Sequence, residues 1–351
     1  MHTKFLLIGY YGFQNAGDEL LLKKSLSIIK DCAPNSKIRV LYNLNNIECS
    51  NKRYLSEVFL VNRFSIWQII CSIFWANTVV FGGGGILQDK TSFKSLVYYL
   101  GILFFSRLFN KNIVLLAQGL GPFNHTLSRS LMRYLKIDYI SLRDKNSLAI
   151  WNKLGCKAKK VVLASDLAYY KAKNILKRDS NFKLTRTIGV SLRPLTIPNT
   201  IILAEFLNNL NLPVSFLAFQ NNVDNARVIG LQSVSETYDM NNYFLDNKLL
   251  PKMPFLVIGM RFHACIWASL FSIPFLALGY DPKVIQLAKT LNQPYIDISD
   301  KKPDLIELKE KYNKLLADYE LYKNYLLKKV PDLIDAAKQK DLLLENCIKK
   351  A

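Results

Sequence analysis

The sequence predicts an α/β protein with two doubly wound domains that face each other across a cleft. Short apolar runs alternate with helical patterns along most of the chain, as parallel βαβ units require. At 351 residues the chain is long enough for two domains of about 150 to 200 residues, each with its own core. A polar and basic stretch at residues 171–186 interrupts the alternation, and we interpret it as the linker between the domains.

The expected strands are the short runs rich in apolar and β-branched residues. In the first domain, residues 1–170, they are Lys4–Ile8, Lys37–Tyr42, Glu57–Val61, Thr78–Phe81, Ile113–Ala117, Tyr139–Leu142 and Val161–Ala164. In the second domain, residues 187–302, they are Thr187–Leu192, Val214–Ala218, Phe255–Ile258, Phe275–Leu278 and Tyr295–Ile298. Residues 303–351 have a helical, lysine-rich pattern, and we expect Pro331 to separate two helices there.

The net charge is unusual for a globular protein. There are 47 Lys and Arg residues against 27 Asp and Glu residues, which gives a formal charge of +20. Such a charge predicts attraction to an anion, which can be a phosphorylated substrate, an acidic membrane surface or a nucleic acid. The basic residues are scattered and form no long run, so we expect no nucleic-acid partner.

Two long apolar segments raise the question of a membrane. Residues 65–81 and 95–109 are strongly apolar, but Gln68, Asn77 and Arg107 interrupt them, and neither reaches the roughly 18 to 20 apolar residues of a membrane span. Core helices are the favoured interpretation, and helices that rest on a membrane are the alternative.

Cysteine usage and the start of the chain indicate where the protein works. The six cysteines show no C-x-x-C spacing and fall mostly in apolar segments, which indicates reduced core residues. The first apolar run is too short for a signal peptide. We therefore expect a cytoplasmic protein, and the charge adds the expectation of peripheral contact with an anionic membrane at its inner face.

A glycine-containing segment joins the first expected strand to a helix. The three glycines of residues 9–17 permit a tight turn and a close approach of the backbone to a ligand. Their spacing is not the dinucleotide fingerprint, and Asp18 and Glu19 would repel a pyrophosphate. The alternative role of these two acids is to complement the helix dipole. A substrate that carries hydroxyl groups fits the segment better than a phosphate, with Asn15, Asp18 and Glu19 as candidate ligands.

A run of four glycines, Gly82–Gly85, follows the fourth expected strand. The run is costly in conformational entropy, so a plain loop is a weak explanation. Backbone N–H groups exposed at a strand end form a nest for an anion or a polar sugar. Gln118-Gly119-x-Gly121-Pro122 repeats the arrangement after the next strand. The candidate ligand-binding residues here are Gly83, Gly84, Gln88 and Gln118.

Cationic side chains lie at or just beyond the ends of other expected strands. Arg143, Arg193 and Arg261 are placed where α/β sheets hold ligands, and arginine there can bind a carboxylate or phosphate through two hydrogen bonds. His263 follows Arg261 at the start of a helix whose dipole favours an anion. Of the three histidines it is the one placed for catalysis, the alternative being a structural cap. Together these residues predict an anion site.

Taken in chain order, the motifs resemble those of the polysaccharide pyruvyl transferases, the CsaB-like group. They are Gly12-Phe13-Gln14-Asn15-Ala16-Gly17-Asp18-Glu19, Gly82–Gly85 with Gln88-Asp89-x-Thr91-Ser92, Gln118-Gly119-x-Gly121-Pro122, Arg143-Asp144-x-x-Ser147, Ser191-Leu192-Arg193-Pro194, Met260-Arg261-Phe262-His263-Ala264 and Tyr280-Asp281-Pro282-Lys283-Val284. Seven motifs in order make the resemblance specific. The departures are small: Phe262 stands in place of a leucine, Gln14 of a glycine and Leu167 of a proline.

The resemblance implies a GT-B-like fold of two Rossmann-like domains and an enzyme that moves the pyruvyl group of phosphoenolpyruvate onto a sugar as a ketal. It implies donor binding or catalysis for Arg261, His263 and Arg143. The charges of this donor make Arg193 and Lys283 further donor ligands, and the acceptor hydroxyls make Asp18 and Asp89 candidate catalytic groups.

The implied partners are phosphoenolpyruvate, as a co-substrate, and a sugar of a cell-surface polysaccharide or of its lipid-linked precursor. We expect no cofactor and no metal, because no His, Cys and carboxylate cluster has ligand spacing. Two other functions stay open. A GT-B-like glycosyltransferase with a nucleotide-sugar donor would use the same cleft. A non-enzymatic basic scaffold at a membrane surface would have no use for the glycine-rich strand ends.

Overall fold

The structure is a computed structural model that describes residues 3–45, 55–90, 92–172, 184–220, 223–225, 230–232, 234–246, 250, 252–299, 302–339 and 342–345. The chain divides into two compact units. Unit 1 consists of residues 1–13, 18–170 and 335–351. Unit 2 consists of residues 14–17 and 171–334.

Unit 1 is built on a parallel sheet of eight strands. They are β1 (Lys4–Ile8), β2 (Lys37–Tyr42), β3 (Phe59–Asn62), β4 (Thr78–Phe81), β5 (Gly84–Leu87), β6 (Asn112–Leu120), β7 (Lys136–Leu142) and β8 (Lys157–Leu163). The order is β3-β2-β1-β4-β6-β7-β8, and β5 pairs with the end of β6. The central strands β1 and β4 are covered on both faces, which explains why their sequences are continuous apolar runs.

Helices connect the strands of unit 1, and local sequence signals explain where they begin. They are α1 (Ala16–Cys32), α2 (Ile66–Trp75), α3 (Phe93–Leu108), α4 (Thr126–Tyr134) and α5 (Lys145–Leu154). The side chains of Ser65, Ser92 and Asp144 accept a hydrogen bond from a backbone N–H in the first turn of α2, α3 and α5. Gly155 ends α5 in the left-handed conformation.

One hydrophobic core joins the sheet of unit 1 to α2, α3 and α5. It contains Leu6 and Leu115 of the sheet together with Ile73, Leu103 and Trp151 of the helices. The helices α2 and α3 therefore cover the same face of the sheet and pack against each other.

Unit 2 is built on a parallel sheet of six strands in the order β11-β10-β9-β12-β13-β14. The strands are β9 (Leu184–Ser191), β10 (Val214–Ala218), β11 (Val234–Asp239), β12 (Met253–Gly259), β13 (Phe275–Gly279) and β14 (Tyr295–Asp297). The helices are α6 (Ile197–Asn208), α7 (Met240–Asp246), α8 (Phe262–Leu270), α9 (Pro282–Thr290), α10 (Leu305–Ala317) and α11 (Tyr319–Ala336). Its core packs Ile188, Phe216, Leu256 and Leu276 of the sheet against Leu308 of α10.

The expected α/β class with doubly wound sheets is confirmed. Four expected strands have the observed bounds, namely Lys4–Ile8, Lys37–Tyr42, Thr78–Phe81 and Val214–Ala218, and the others differ at their ends. The sequence does not predict β5 or β11. The strand β5 begins with two glycines, which disfavour strands, and β11 is a polar edge strand whose first four residues alternate between half-buried and exposed positions.

The expected linker lies mostly outside the described residues, at 173–183. Its last part, Leu184–Arg186, belongs to β9. Of the cysteines expected in the core, Cys265 is buried, whereas Cys32 and Cys156 are half-buried and Cys71 is exposed. Cys49 and Cys347 lie outside the described residues.

The expectation that Pro331 separates two helices is wrong. Pro331 lies inside α11, and the break between the last two long helices falls at Asp318 instead. A proline inside a helix leaves the carbonyl four residues earlier without its N–H donor. Here that carbonyl belongs to Leu327, and both residues are exposed, so water can take the place of the donor.

Replacement of Pro331 by alanine should therefore stabilise the protein. The variant regains a backbone N–H for the carbonyl of Leu327, and we expect the free energy of unfolding to rise by about 1 to 3 kcal/mol. Thermal and urea denaturation measure the change. Asp332→Ala, at the next exposed position, is the control without a new N–H, and a Pro331→Ala variant no more stable than this control would contradict the prediction.

Candidate active site

The cationic residues expected in the second domain lie along the carboxyl edge of the unit 2 sheet. Arg193 follows β9, Arg261 and His263 follow β12, and Lys283 follows β13. The three strands are neighbours in the order β9-β12-β13 and run parallel, so their carboxyl ends meet at one edge. The structure therefore places these four residues just beyond the carboxyl ends of three neighbouring strands.

Arg261 forms a buried ion pair that the sequence analysis missed. Its Nε donates to Asp224 Oδ1 at 3.2 Å and Oδ2 at 3.1 Å, and its Nη2 donates to Oδ1 of the same carboxylate. Nη2 also donates to Gln220 Oε1 at 3.3 Å. The fully buried Asp224 side chain accepts two further bonds from the backbone N–H groups of Phe219, at 3.1 Å, and Gln220, at 3.0 Å. This pairing holds the guanidinium in one orientation at the N-cap position of α8.

His263 lies in the first turn of α8, and the backbone of Gly17 packs directly on its ring. A Cβ atom added to Gly17 would lie 2.0 Å from Nδ1 of His263, a distance that no side chain could keep. On its other side the imidazole contacts the ring of Phe262, with centroids 5.3 Å apart. Glycine at position 17 is therefore required for the position that the imidazole occupies.

The segment of residues 14–17 reaches this edge of unit 2 through main-chain hydrogen bonds. Asn15 forms an antiparallel bridge with Gln220, and the N–H of Ala16 donates to the carbonyl of Phe219 at 2.7 Å. The same loop after β10 therefore holds both Arg261 and the segment that packs on His263. A signal for it exists in the sequence, because a polar side chain and an acid follow an expected strand there.

Arg193 and Lys283 both lie over aromatic rings. The guanidinium carbon of Arg193 is 4.9 Å from the centroid of the Tyr280 ring, and Lys283 Nζ is 6.0 Å from that of Phe262. Lys283 Nζ also lies 3.4 Å from the carboxylate of Asp281. Within the part of the chain that the structure describes, Arg193 has no carboxylate partner, so its charge is available to a ligand.

In unit 1, the side chain of Gln118 is hydrogen-bonded to the backbone of the glycine run and does not face solvent. It is fully buried, and its Nε2 donates to the carbonyls of Gly82 and, at 3.1 Å, Leu116. A Cβ atom on Gly82 would collide with the hydroxyl of Tyr11, and Gly84 adopts a φ of +126°, so both positions require glycine. Gly83 and Gly84 are buried as well.

Arg143 belongs to unit 1, unlike the other cationic residues of the expected donor site. Its Nε donates to Asp144 Oδ2 at 3.2 Å, and its Nη1 lies 3.8 Å from Asp166 Oδ2. The guanidinium is mostly buried against Gly119, whose added Cβ would lie 2.4 Å from Nη2. The structure therefore places Arg143 among the glycine-rich strand ends of unit 1.

The two acids at the start of α1 have different surroundings. Glu19 is fully buried, and its carboxylate accepts from the N–H of Gly12 at 2.7 Å and from the hydroxyl of Tyr42 at 3.3 Å. It closes the loop after β1. Asp18 is half-buried. Burial and, second to it, the negative charge of Asp18 raise the pKa of Tyr10 above its usual value.

Asp89 holds a loop in place. Its Oδ1 accepts from the N–H of Asn124 at 2.6 Å and its Oδ2 from that of His125, the N-cap residue of α4, at 2.9 Å. Burial alone would raise the pKa of Asp89, but these N–H groups hold the pKa below its usual value. Gln88 beside it is half-buried, and Thr91 of the same motif lies outside the described residues. Among the residues described, no group of three His, Cys, Asp or Glu side chains is placed to hold a metal ion.

Two parallel sheets with helices and polar side chains at the carboxyl edges define the class of the fold: two Rossmann-like domains of the GT-B type. Solved structures agree. A putative UDP-N-acetylglucosamine 2-epimerase from Listeria monocytogenes has a TM-score of 0.65 at 12% identity, over 100% of this chain and 98% of that chain. UDP-GlcNAc 2-epimerase from Neisseria meningitidis, bound to UDP-GlcNAc, has a TM-score of 0.61 at 10% identity, over 99% and 100%. Anabaena HepE in complex with UDP and glucose has a TM-score of 0.59 at 12% identity, over 99% of both chains.

The family follows from the sequence. The family model of the polysaccharide pyruvyl transferases matches residues 15–233, more than half of the chain, and the chain belongs to this family. The matched range includes Asp18, Arg143 and Arg193 and ends before Arg261 and His263. No curated protein matches the chain significantly in sequence.

Gly17→Ala should displace the imidazole of His263 without removing any functional group. The added Cβ would occupy the space of Nδ1, so we expect the NMR signals of this imidazole to shift, while the other two histidines serve as internal references. Gly101→Ala is the control, because a Cβ at that position meets nothing within 4 Å. Unchanged His263 signals in Gly17→Ala would contradict the contact.

Proposed function

We propose that the protein transfers the pyruvyl group of phosphoenolpyruvate onto two hydroxyls of one sugar in a cell-surface polysaccharide or its lipid-linked precursor, and so forms a ketal. The observation that carries the proposal is family membership together with the cationic strand ends of unit 2. The donor has a carboxylate and a phosphate, so it needs several fixed positive charges close together.

The donor-side assignment follows the charges. Arg193 offers a positive charge that no carboxylate among the described residues neutralises. Lys283, just beyond β13, offers a second cation, whose Nζ lies near the carboxylate of Asp281. The N-terminus of α8 adds a positive dipole end. Arg261 presents its guanidinium in the orientation that Asp224 fixes.

The chemistry requires one proton on carbon and one leaving group. The methylene carbon of phosphoenolpyruvate accepts a proton and becomes a methyl group, while two sugar oxygens bond to the neighbouring carbon and the bond from that carbon to the phosphate oxygen breaks. The two sugar hydroxyls lose two protons in all. One proton is balanced by the proton that the methylene carbon gains, and the other leaves with inorganic phosphate. We assign His263 to proton transfer, since a positioned imidazole can both accept and donate a proton near neutral pH.

The acceptor is assigned to unit 1. Asp18, half-buried in the first turn of α1, is the carboxylate proposed to accept hydrogen bonds from the sugar hydroxyls, and Asn15 and Gln88 are further polar groups for the sugar. The carboxylates of Glu19 and Asp89 accept hydrogen bonds from backbone N–H groups, and this favours a role in holding loops in place. Arg143, between two carboxylates, is proposed as a positioning residue for the glycine-rich strand ends.

A second candidate function is transfer of a sugar from a nucleotide sugar. It is favoured by two of the similar structures, because Anabaena HepE is in complex with UDP and glucose and the Neisseria meningitidis epimerase is bound to UDP-GlcNAc. Incubation with phosphoenolpyruvate and a panel of lipid-linked and synthetic glycosides separates the two. We expect mass spectrometry to find a product heavier by one pyruvyl group, with inorganic phosphate released in equal amount. Glycosyl transfer from a nucleotide sugar, with no pyruvylated product, would overturn the proposal.

His263→Ala should leave the fold intact and abolish most turnover. An imidazole at a helix start contributes more to proton transfer than to packing, and we expect a loss of about 100-fold or more, the usual range for a general acid or base. Circular dichroism and thermal denaturation establish that the variant folds. A folded variant with turnover near that of the wild type would refute the assignment.

Arg261→Lys should weaken the donor interaction although the positive charge is kept, because lysine lacks the planar fork. We expect a KM for phosphoenolpyruvate about tenfold higher, with the KM for the acceptor little changed. Asp224→Asn should give the same pattern, since it releases the guanidinium from its orientation. A lower melting temperature with unchanged donor kinetics in both variants would show that the pair is structural alone.

A further inference from the structure

The outer surface of α2 is apolar although it faces solvent. The helix has no charged residue, and it buries Ile69, Ser72 and Ile73 against the sheet. On the opposite side Ile66 and Trp67 are each 74% exposed and Phe74 is 69% exposed, and Gln68 is an exposed polar residue beside them. A helix with large apolar residues on both its buried and its outer side is normally enclosed by protein or lipid, so its position on the surface of unit 1 calls for an explanation.

The neighbouring helix α3 continues this surface. Val97, Gly101, Phe104 and Leu108 follow one another at intervals of three and four residues and therefore form one stripe. The three side chains are exposed, Phe104 and Leu108 to 60% each, and a Cβ at Gly101 would meet open space. Leu96, Tyr99 and Leu103 form the opposite, buried side.

The two exposed surfaces are continuous. The helices α2 and α3 pack against each other, and the ring of Phe74 contacts the ring of Phe109, with centroids 5.9 Å apart. We call the surface formed by Ile66, Trp67, Phe74, Val97, Phe104 and Leu108 the apolar face. An exposed patch of this kind marks an interaction site on a soluble protein.

The charged residues in the two segments that form the apolar face are basic. Residues 59–77 and 92–113 contain no Asp or Glu, and their charged residues are Arg63, Lys94, Arg107 and Lys111. Arg63 is buried, and Arg107 Nη1 lies 3.7 Å from the buried carboxylate of Asp138. Lys94 is exposed. Lys111 Nζ lies 5.5 Å from the ring of Phe74 and donates to its carbonyl at 2.7 Å, so a cation stands at the border of the apolar surface.

We infer that the apolar face docks on the surface of a bilayer that contains anionic lipids. Exposed Trp and Phe side chains insert at the boundary between headgroups and acyl chains, and basic residues beside them contact lipid phosphates. None of the described helices is both long and apolar enough to cross a bilayer, so the contact is peripheral. A second copy of the chain fits this surface poorly, because two such faces would bring like charges together.

This inference stands apart from the proposed reaction. It uses neither the donor-side residues of unit 2 nor the acceptor-side residues of unit 1, and its test needs no substrate. Failure of pyruvyl transfer would leave it unchanged, and its failure would leave the proposed transfer unchanged.

Flotation of the full-length protein with vesicles tests the inference. We expect the wild type to float with vesicles of phosphatidylcholine and phosphatidylglycerol and much less with vesicles of phosphatidylcholine alone. Trp67→Ser combined with Phe104→Ser should lower the partition coefficient by about a hundredfold, because burial of each large apolar side chain contributes roughly tenfold or more. Both side chains are exposed, so the fold should tolerate their loss.

A matched control comes from unit 2. Ile201 and Ile306 are 60% and 66% exposed, and Ile201→Ser combined with Ile306→Ser removes a similar number of exposed apolar side chains. We expect this control to float like the wild type. Equal flotation of the wild type and the Trp67, Phe104 double variant would overturn the inference, as would equal recovery of the wild type on neutral and anionic vesicles. A wild type that stays free of vesicles but forms a dimer lost in the double variant would overturn it in favour of self-association.

Tryptophan fluorescence gives a second readout. Of the four tryptophans, Trp67 is exposed, Trp75 at the end of α2 is half-buried, and Trp151 and Trp267 are buried, so a blue shift on addition of anionic vesicles should come mainly from Trp67. Trp67→Phe should remove most of the shift and keep the flotation, because the ring that enters the lipid is retained. A shift of the same size in Trp67→Phe would place the contact elsewhere on the molecule and contradict the inference.

Discussion

The parallel alignment of the strands is the constraint on which the candidate site depends. Because all paired strands of unit 2 run in one direction, the residues that follow β9, β12 and β13 reach the same edge of the sheet. Arg193, the neighbouring Arg261 and His263, and Lys283 belong to three separate segments of the sequence, and the parallel strands bring these segments to the same edge. In unit 1 the same constraint brings the glycine-rich segments after β1, β4 and β6 to one edge.

Two close contacts fix the positions of side chains at the edge of unit 2: Asp224 with Arg261, and Gly17 with His263. The buried carboxylate of Asp224 orients Arg261, and it is itself held by backbone N–H groups of the loop after β10. That loop also holds residues 14–17, so Gly17 can pack on His263. Gln14 adopts a φ of +57°, in the left-handed region that glycine adopts more readily. A cation and an imidazole are thus positioned by one loop.

The sequence predicts the fold well where the pattern is set by burial. The central strands are continuous apolar runs and are found almost to the residue, whereas the polar edge strand β11 escapes detection. The cationic residues of unit 2 are found because their motifs follow strands. Asp224 escapes detection, since it is 37 residues away from Arg261 in the chain and only the folded sheet brings the two together.

Residue type alone also leaves open what a polar or apolar side chain contacts. Glu19, in the first turn of α1, and Asp89, just after β5, are acids beside glycine-rich segments, yet their carboxylates accept hydrogen bonds from the backbone. The apolar segment of α2 has the composition of a core helix, and only the structure shows that one side of it is exposed.

The central claim is that the cationic edge of unit 2 binds phosphoenolpyruvate, and calorimetric titration with phosphoenolpyruvate and with UDP-N-acetylglucosamine tests it most directly. The account predicts that the protein binds phosphoenolpyruvate and that Arg193→Ala weakens this binding. It also predicts that the nucleotide sugar does not displace phosphoenolpyruvate. Binding of the nucleotide sugar, with no binding of phosphoenolpyruvate, would contradict it.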